Sequence, residues 1–317
     1  MKLVESIQKE LIGLIGLGTV GSIFAGHLLN AEGKLGVYDI NPDRVDSMVE
    51  LGATAFLSSS ALAENCSSII LALSDPSAVA SVLEGKNGVL ATASEGTLLL
   101  DLSTIDPSSC RHFQALANAK GLAYVEAPIS GGEPHGAGTD GAQAANVSFM
   151  IGGEPEHVAR ATPLLSILGA RFFHMGPAGA GATVKLISNH IAGLTNLVCA
   201  EALVLGAASG LTPERLFEVF DGTDAKSFWM MHYMAPRLKA GNFMPGFSID
   251  LQHKDHRLAG EMASKLRVPM PLNDLALELY DRMRSAGLGG KDVVDAVNYV
   301  GENTGSDNYT ASKKTEV

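Results

Sequence analysis

The first half of the chain alternates short apolar runs with segments in which apolar residues recur at helical spacing. The apolar runs predict strands at Leu11–Ile15, 35–38, 68–73, 97–101, 122–125, 146–151 and 171–174. The periodic segments predict helices at Thr19–Asn30, 42–51 and 107–120, the last of them capped by Asp106. Short buried strands that alternate with helices are typical of a parallel, doubly wound sheet.

The pattern changes near residues 175–180, and we predict no strand beyond them. Residues 179–209 contain no proline and keep helical periodicity, which predicts one helix of roughly 45 Å. Further helices are predicted at 212–221, 226–237, 249–265, 271–286 and 291–300. We therefore predict an α/β domain over residues 1–176 and an all-helical domain over residues 177–317, joined by the long helix.

The composition is that of a compact folded protein of 317 residues, 46% of them hydrophobic and 18% charged. A net charge of −11 argues against nucleic acid and against anionic membrane surfaces as partners. Three widely spaced cysteines fit no disulfide framework and no metal motif, so we expect no metal site. The first residues lack the pattern of a signal peptide, and no unbroken apolar stretch reaches membrane-span length, which predicts a cytoplasmic protein.

A glycine-rich turn connects the first predicted strand to the first predicted helix and consists of Gly16, Leu17, Gly18, Thr19, Val20 and Gly21. In a dinucleotide-binding turn the first glycine permits the bend, the second lets a pyrophosphate approach, and the third allows close helix–strand packing. Asp39 ends the next strand, where a carboxylate can bind the ribose hydroxyls and repel a 2′-phosphate. These residues predict NAD as cofactor, although Arg44 leaves NADP open and a glycine turn without a ligand is the plainer alternative.

Another candidate site is the turn formed by Ser130, Gly131 and Gly132, which follows a predicted strand. Consecutive backbone N–H groups and a hydroxyl can bind an anion there, although an ordinary turn has the same composition. Lys185 and Asn189 lie four residues apart on the long predicted helix and share one face. Burial of the lysine would favour its neutral amine and suit acid–base chemistry, whereas a lysine that snorkels to the surface is the alternative.

In this order and spacing the motifs resemble those of the β-hydroxyacid dehydrogenase family, over about residues 10–300: GLGTVG, Asp39, DLST, EAPISGG, GAGATVKLISN and PGFSIDLQHKDHRLA. The resemblance implies a Rossmann-type sheet followed by an all-helical domain like that of 6-phosphogluconate dehydrogenase. It implies a catalytic role for Lys185, a substrate carboxylate bound by the 130–132 turn, and Asn189 beside the substrate or the lysine. It also implies that the cofactor contacts residues from several loops, namely Leu73, Ser74, Thr104 and Lys254.

The implied function is NAD(H)-dependent interconversion of a small β-hydroxy acid and its semialdehyde, of the tartronate semialdehyde or 3-hydroxyisobutyrate type. A bulkier or aromatic-bearing β-hydroxy acid is an alternative, because the segment 228–233 could line a pocket as well as pack in a core. A non-catalytic dinucleotide-binding protein is another alternative. Small residues on the long helix suit close subunit packing, so we expect a homodimer or homotetramer: Gly193, Ala202, Gly206 and Ala207.

Two features depart from the family pattern. Ser188 stands where relatives often carry Asn or His, which changes the hydrogen bonding expected around the substrate. Residues 133–145 form an apparent insertion beside the anion-binding turn, and we expect it to reshape the pocket or an interface.

Overall fold

A computed structural model of the chain describes residues 10–131 and 138–302. Within these residues one sheet of nine strands is present. The strands are β1 (Leu11–Ile15), β2 (Lys34–Tyr38), β3 (Thr54–Ala55), β4 (Ser68–Leu71), β5 (Leu98–Asp101), β6 (Ala123–Glu126), β7 (Ile129–Ser130), β8 (Val147–Gly153) and β9 (Gly169–Gly176). The predicted strands match seven of these to within a few residues, whereas the two-residue strands β3 and β7 were not predicted.

The strand order is β3-β2-β1-β4-β5-β6-β8-β7, with β9 also paired to β8. β1 pairs with both β2 and β4, so the order reverses beside β1, and the carboxyl ends of these strands form the crevice in which doubly wound sheets bind ligands. Strands β1 to β6 are parallel, as predicted. The predicted doubly wound sheet is present, with β8 running antiparallel to β6 and β7, an arrangement common at one side of such sheets.

Eight helices connect the described strands: α1 (Thr19–Asn30), α2 (Pro42–Val49), α3 (Ser59–Ala63), α4 (Pro76–Glu84), α5 (Val89–Thr92), α6 (Pro107–Ala119), α7 (Gly138–Gln143) and α8 (Pro155–Leu168). Local side chains cap several of them; Asp106 accepts hydrogen bonds from the amides of Ser108 and Ser109 at the start of α6, as predicted. The 14-residue α8 was missed because Pro163 lies inside it and interrupts the helical pattern.

Both faces of the sheet are covered, which explains why its strands are almost continuously apolar. On β5, Leu98 and Leu100 point into one hydrophobic core and Leu99 into the other. Phe24 of α1 lies in the first core, and Phe113 of α6 lies in the second. The two cores fix the strands, and the loops at their carboxyl ends therefore have defined positions.

The rest of the described chain is helical: α9 (Ala180–Ala208), α10 (Pro213–Asp221), α11 (Ala235–Ala240), α12 (Ile249–Leu266), α13 (Pro271–Ser285) and α14 (Ala296–Glu302). A π-helical turn at Met230–Met234 precedes α11, and a 3₁₀ turn at Val293–Asp295 precedes α14. Side chains from these elements share one core with Leu203 of α9, and Tyr280 of α13 is among its fully buried members. The all-helical second half is as predicted.

The described residues divide into two units within α9, between Leu186 and Ile187. The predicted boundary, after residue 176, coincides instead with the end of β9. The first turns of α9 belong to the sheet unit because Gly181 lies directly against β8, where a Cβ would come within 2.2 Å of the Met150 carbonyl oxygen. The long helix is therefore shared by both units.

Helix α9 is long and apolar enough, by length and composition, to cross a membrane. The same composition is found in core helices of folded domains, and part of α9 is used in that way, with Leu203 and Ala200 fully buried. Its other face is exposed and carries Ile187, Ile191, Val198 and Leu205. The long helix that the sequence predicts is thus buried on one side only.

Candidate active site

The glycine-rich turn has the shape that a dinucleotide pyrophosphate requires. Gly16 has φ +95°, and a Cβ at Gly21 would lie 2.0 Å from the Gly16 carbonyl oxygen, so both positions need glycine. A Cβ at Gly18 would meet nothing within 4 Å, so this glycine faces open space. Gly18 is also the N-cap of α1 and provides no side-chain cap, which leaves the first-turn amides for an anion. The turn therefore fits the pyrophosphate of a dinucleotide.

Leu17, Thr19 and Val20 complete this turn in different ways. Leu17 is buried, Val20 packs against the core, and Thr19 is exposed at the first position of α1. The backbone N–H of Leu17 donates to Asp39 Oδ2 at 2.6 Å, and the N–H of Asn41 donates to Asp39 Oδ1 at 2.8 Å. Asp39 thus ties the end of β2 to the glycine turn.

The side chain of Asp39 is only 6% exposed, and the half-exposed Arg44 places Nη1 3.8 Å from Asp39 Oδ2. Each carboxylate oxygen has a second lone pair with which it can accept a ribose hydroxyl. A 2′-phosphate at the same place would meet this negative charge, although Arg44 stands close enough to offset part of it.

The loops after β4 and β5 are connected to each other. The backbone N–H of Leu73 donates to Ser103 Oγ at 3.0 Å, and the N–H of Ser103 donates to Asp101 Oδ1 at 2.9 Å. Ser74 donates to Asp75, which caps α4. Thr104, half-buried, follows Ser103 directly. The three residues predicted to contact the cofactor from these loops, Leu73, Ser74 and Thr104, therefore lie at the same edge of the sheet as the glycine turn.

Beneath these loops lies a group of buried ionisable side chains. Asp101 is fully buried and accepts a hydrogen bond from the Tyr124 hydroxyl at 3.0 Å, and burial raises the pKa of Asp101 to about 6. Burial also raises the pKa of Tyr124 and of the Cys110 thiol well above their ordinary values. A thiol with a raised pKa is a poor nucleophile, so Cys110 serves as a buried packing residue.

Glu126 has a role that the sequence analysis did not identify. It is 1% exposed at the end of β6, beside Asp101 in the β5–β6 register. Its Oε2 accepts the backbone N–H of Gly179 at 2.7 Å, and its Oε1 accepts that of Ala182 at 3.0 Å. The carboxylate therefore caps α9. The signal for it was the absence of a capping side chain in the residues before the long helix, which end in Gly179.

Lys185 and Asn189 both face inward on α9, with 8% and 7% of their surfaces exposed. A lysine that snorkels to the surface, the alternative to a site residue, does not fit this burial. In the second unit Asn189 Nδ2 donates to Asp255 Oδ2 at 2.5 Å, and Lys254 Nζ lies 3.1 Å from Asp255 Oδ1. Asp255 therefore joins two predicted site residues, and it was itself not predicted to have a role.

The turn predicted to bind an anion, residues 130–132, is described only in part. Ser130 ends β7 and pairs with Ser148 of β8, and Ser130 and Gly131 are half-buried. Gly132 lies outside the described residues, as do 133–137 of the apparent insertion, while residues 138–143 of that insertion form α7. The first turn of α9 packs against β8 at Met150. β8 therefore contacts both Ser130 and the start of the helix that contains Lys185.

The bulky segment 228–233 packs mainly in the core of the second unit. Trp229 Nε1 donates to Asn196 Oδ1 at 3.1 Å, and Met230 and Tyr233 are buried. Phe228 is 41% exposed and stacks on His232, with ring centroids 4.6 Å apart. Phe228 is the one exposed side chain of this segment and the one best placed to line a pocket.

Two remaining features do not form part of the site. Within the described ranges no three His, Cys, Asp or Glu side chains are grouped as metal ligands, and the neighbouring His253 and His256 pair instead with Asp281 and Asn273. A depression of about 560 Å³ opens at the other edge of the sheet, near the start of β1 and β5, where Arg160 donates to the Gly96 carbonyl. It is distant from the glycine turn because it lies at the amino ends of the strands.

Comparison with known proteins identifies two matching domains and full-length relatives. Residues 11–176 match a family model described as the NAD binding domain of 6-phosphogluconate dehydrogenase, and residues 179–300 match one described as the NAD-binding domain of NADP-dependent 3-hydroxyisobutyrate dehydrogenase. The chain is 35% identical over 282 residues to 2-(hydroxymethyl)glutarate dehydrogenase of Eubacterium barkeri, covering 89% of this chain and 92% of that protein.

A second relative is 3-sulfolactaldehyde reductase of Escherichia coli K12, 35% identical over 281 residues that cover 89% of this chain and 92% of that one. Among solved structures, 3-hydroxyisobutyrate dehydrogenase of Mycobacterium tuberculosis with L-serine superimposes with a TM-score of 0.81 at 28% identity. The match covers 92% of this chain and 99% of that one. Both halves of the chain therefore have counterparts in the same proteins.

Proposed function

This chain belongs to the β-hydroxyacid dehydrogenase family of NAD(P)-dependent oxidoreductases, and we propose that it uses NAD to interconvert a small β-hydroxy acid and its semialdehyde, with Lys185 as general acid and base. The observation that carries the proposal is the burial of Lys185 on a helix whose first turn lies against the strand that supports Ser130. An amine at this place can donate a hydrogen bond and a proton to a reacting carbonyl oxygen, or accept a proton from an alcohol.

The reaction divides between binding and proton transfer. The dinucleotide, when bound at the glycine turn, supplies or accepts the hydride. The 130–132 turn binds the acid group of the substrate and so fixes the neighbouring carbonyl carbon, which makes positioning a large part of catalysis. Lys185 as ammonium stabilises the developing alkoxide and donates a proton to it; in the oxidation direction the neutral amine accepts that proton.

Asp39 supports NAD as the preferred cofactor. Its nearly buried carboxylate stands where the adenine ribose is expected and would repel a 2′-phosphate. Two observations favour NADP instead. Arg44 lies close to Asp39, and the description of the second matching domain names NADP. Activity measured with each cofactor tests the choice, and a higher kcat/KM with NADP would contradict it.

The substrate class follows from what the relatives' names share, an aldehyde or hydroxymethyl group close to an acid group. An activity panel should contain tartronate semialdehyde, succinic semialdehyde, glyoxylate, 3-hydroxyisobutyrate, 3-sulfolactaldehyde and an aromatic-bearing β-hydroxy acid. We expect turnover with one or more of the small substrates. Cofactor binding without turnover on any of them would favour the non-catalytic alternative.

Replacement of Lys185 tests the proposed chemistry. In Lys185→Ala the proton donor is lost, and kcat should fall about 100-fold or more, while the affinity for NADH stays within a factor of about two. Turnover by stopped-flow absorbance and NADH affinity by fluorescence titration measure the two effects. Near-normal turnover in the variant would overturn the role of Lys185.

A further inference from the structure

The helix that carries Lys185 begins in an unusual way. Several other helices are capped by the side chain of a residue adjacent to them in sequence, such as Asp75 for α4 and Thr212 for α10. The residue before α9 is Gly179, which has no side chain, and its φ of +94° suits glycine only. A Cβ at Gly179 would lie 2.9 Å from the backbone carbonyl oxygen of Pro107, so a capping side chain there would be strained.

The missing cap comes from the sheet. Glu126 is 53 residues before Gly179 in sequence, and its two carboxylate oxygens accept one backbone N–H each, from Gly179 and Ala182. These amides belong to the group at a helix start that has no partner inside the helix, and the positive end of the helix dipole favours a charged acceptor. Because Glu126 is buried at the end of β6, the contact fixes the position of the first turn of α9 on the sheet.

The contact is close to the proposed proton donor. Ala182 precedes Lys185 by three residues, which is less than one helical turn and roughly 4.5 Å along the axis. Gly181, directly before Ala182, lies against the Met150 carbonyl, where not even a methyl group would fit. The start of α9 is therefore held by the van der Waals contact of Gly181 and by two charge-assisted hydrogen bonds from Gly179 and Ala182.

We infer that Glu126 is a positioning residue for catalysis, whose carboxylate fixes the first turn of α9 and thereby the location of the Lys185 amine. The inference rests on the proposed role of Lys185. Glu126 does not touch the reacting atoms; it acts through the helix. Displacement of a catalytic group by about 1 Å can cost on the order of 100-fold in rate, so even a small shift of this turn should be measurable.

Glu126→Gln is the sharpest test because it keeps the size of the side chain and changes one acceptor into a donor. The new NH₂ group must face the N–H of either Gly179 or Ala182, and that hydrogen bond is lost. We expect kcat and kcat/KM to fall at least tenfold together, with dinucleotide affinity within about twofold. Hydrogen exchange should accelerate in residues 179–186 and stay unchanged in the later turns of α9.

Thr212→Val is the matched control, since it also removes a helix cap but on α10. It should lower the melting temperature and leave kcat unchanged, as a purely structural cap would. If Glu126→Gln behaves like this control, with wild-type kcat and wild-type exchange in residues 179–186, the inference is overturned. Should Glu126→Gln fail to fold, Glu126→Asp keeps the charge but shortens the reach, and wild-type values of both measurements in that variant would overturn the inference equally.

Lys185→Ala, assayed with the same panel substrate, separates the two proposals. If Lys185→Ala turns over normally, the proposed function fails at the proton donor. If Lys185→Ala is inactive while Glu126→Gln retains full turnover, only the positioning role fails. The exchange measurement tests the cap even where no substrate of the panel is turned over.

Discussion

Asp101 is the residue whose ionisation should be most visible in the stability of the protein. It is fully buried, and its pKa of about 6 lies above the ordinary value of 3.8 because burial penalises the charged form. The hydrogen bonds from the Ser103 amide and the Tyr124 hydroxyl favour the charged form but do not compensate for the burial. Asp101 therefore binds a proton more tightly in the folded than in the unfolded state.

This difference predicts a pH dependence of the free energy of unfolding. Since the folded state holds the proton up to about pH 6 and the unfolded state loses it near 3.8, the contribution of Asp101 to stability is largest below pH 4 and declines through pH 6. The decline amounts to about 3 kcal/mol. Urea unfolding of wild type and of Asp101→Asn, which cannot titrate, should show wild type losing about this much relative to the variant between pH 4 and pH 7. A pH-independent difference would contradict the prediction.

Two substitutions in the glycine turn between β1 and α1 should separate the role of this turn in cofactor binding from its role in folding. A methyl group at Gly18 meets open space in the protein but would fill the place required by a pyrophosphate. Gly18→Ala should therefore keep the melting temperature within a few degrees and weaken dinucleotide binding at least tenfold. Isothermal titration with NADH measures the affinity.

Gly21→Ala is the matched control in the same turn, because a Cβ there would lie 2.0 Å from the Gly16 carbonyl oxygen. The free energy of unfolding of this variant should fall by about 1–3 kcal/mol, whether or not the cofactor is present. If Gly18→Ala binds NADH as tightly as wild type, the cofactor does not lie against this turn.

The elements that the sequence predicted best are those with local signals. β1 and α1 were predicted to their ends because an apolar run, a glycine turn and helical periodicity follow one another directly. The direction of β8 and the cap of α9 were not predictable, since both depend on pairing between residues far apart in sequence, such as Glu126 and Gly179. Asp255 was missed for the same reason, as its partner Asn189 lies on another helix.

At the scale of the whole molecule, two expectations stay predictions, a cytoplasmic location and a homo-oligomer. The oligomer was predicted from small residues on the long helix, and the structure corrects that argument for Gly193 and Gly206. A Cβ at Gly193 would lie 2.3 Å from His256 Nε2, and one at Gly206 would lie 2.4 Å from Leu216 Cδ1. These small residues therefore allow close packing within the second unit and are not available to a neighbouring subunit.

The better reason for an oligomer is the exposed face of α9, which carries Ile187, Ile191, Val198 and Leu205 at 48–70% exposure. Their spacing of four and seven residues keeps them on one side of the helix, and they span roughly 27 Å. A single exposed apolar residue is ordinary, but a continuous stripe marks an interaction surface. We expect a second copy of the chain to cover it, so that wild type sediments as a dimer or tetramer.

A double substitution, Val198→Asp with Leu205→Asp, places two charges on this stripe and should shift the sedimentation coefficient to that of a smaller species. Leu51→Asp, at a residue 61% exposed elsewhere on the chain, is the control and should leave the assembly intact. Because α9 also has the length and composition of a membrane span, the wild type should be sedimented with lipid vesicles as well. A wild-type monomer in free solution would contradict the oligomer. Co-sedimentation with the vesicles would assign the stripe to lipid. An assembly that is disrupted by the α9 charges and not by Leu51→Asp would place the stripe between subunits.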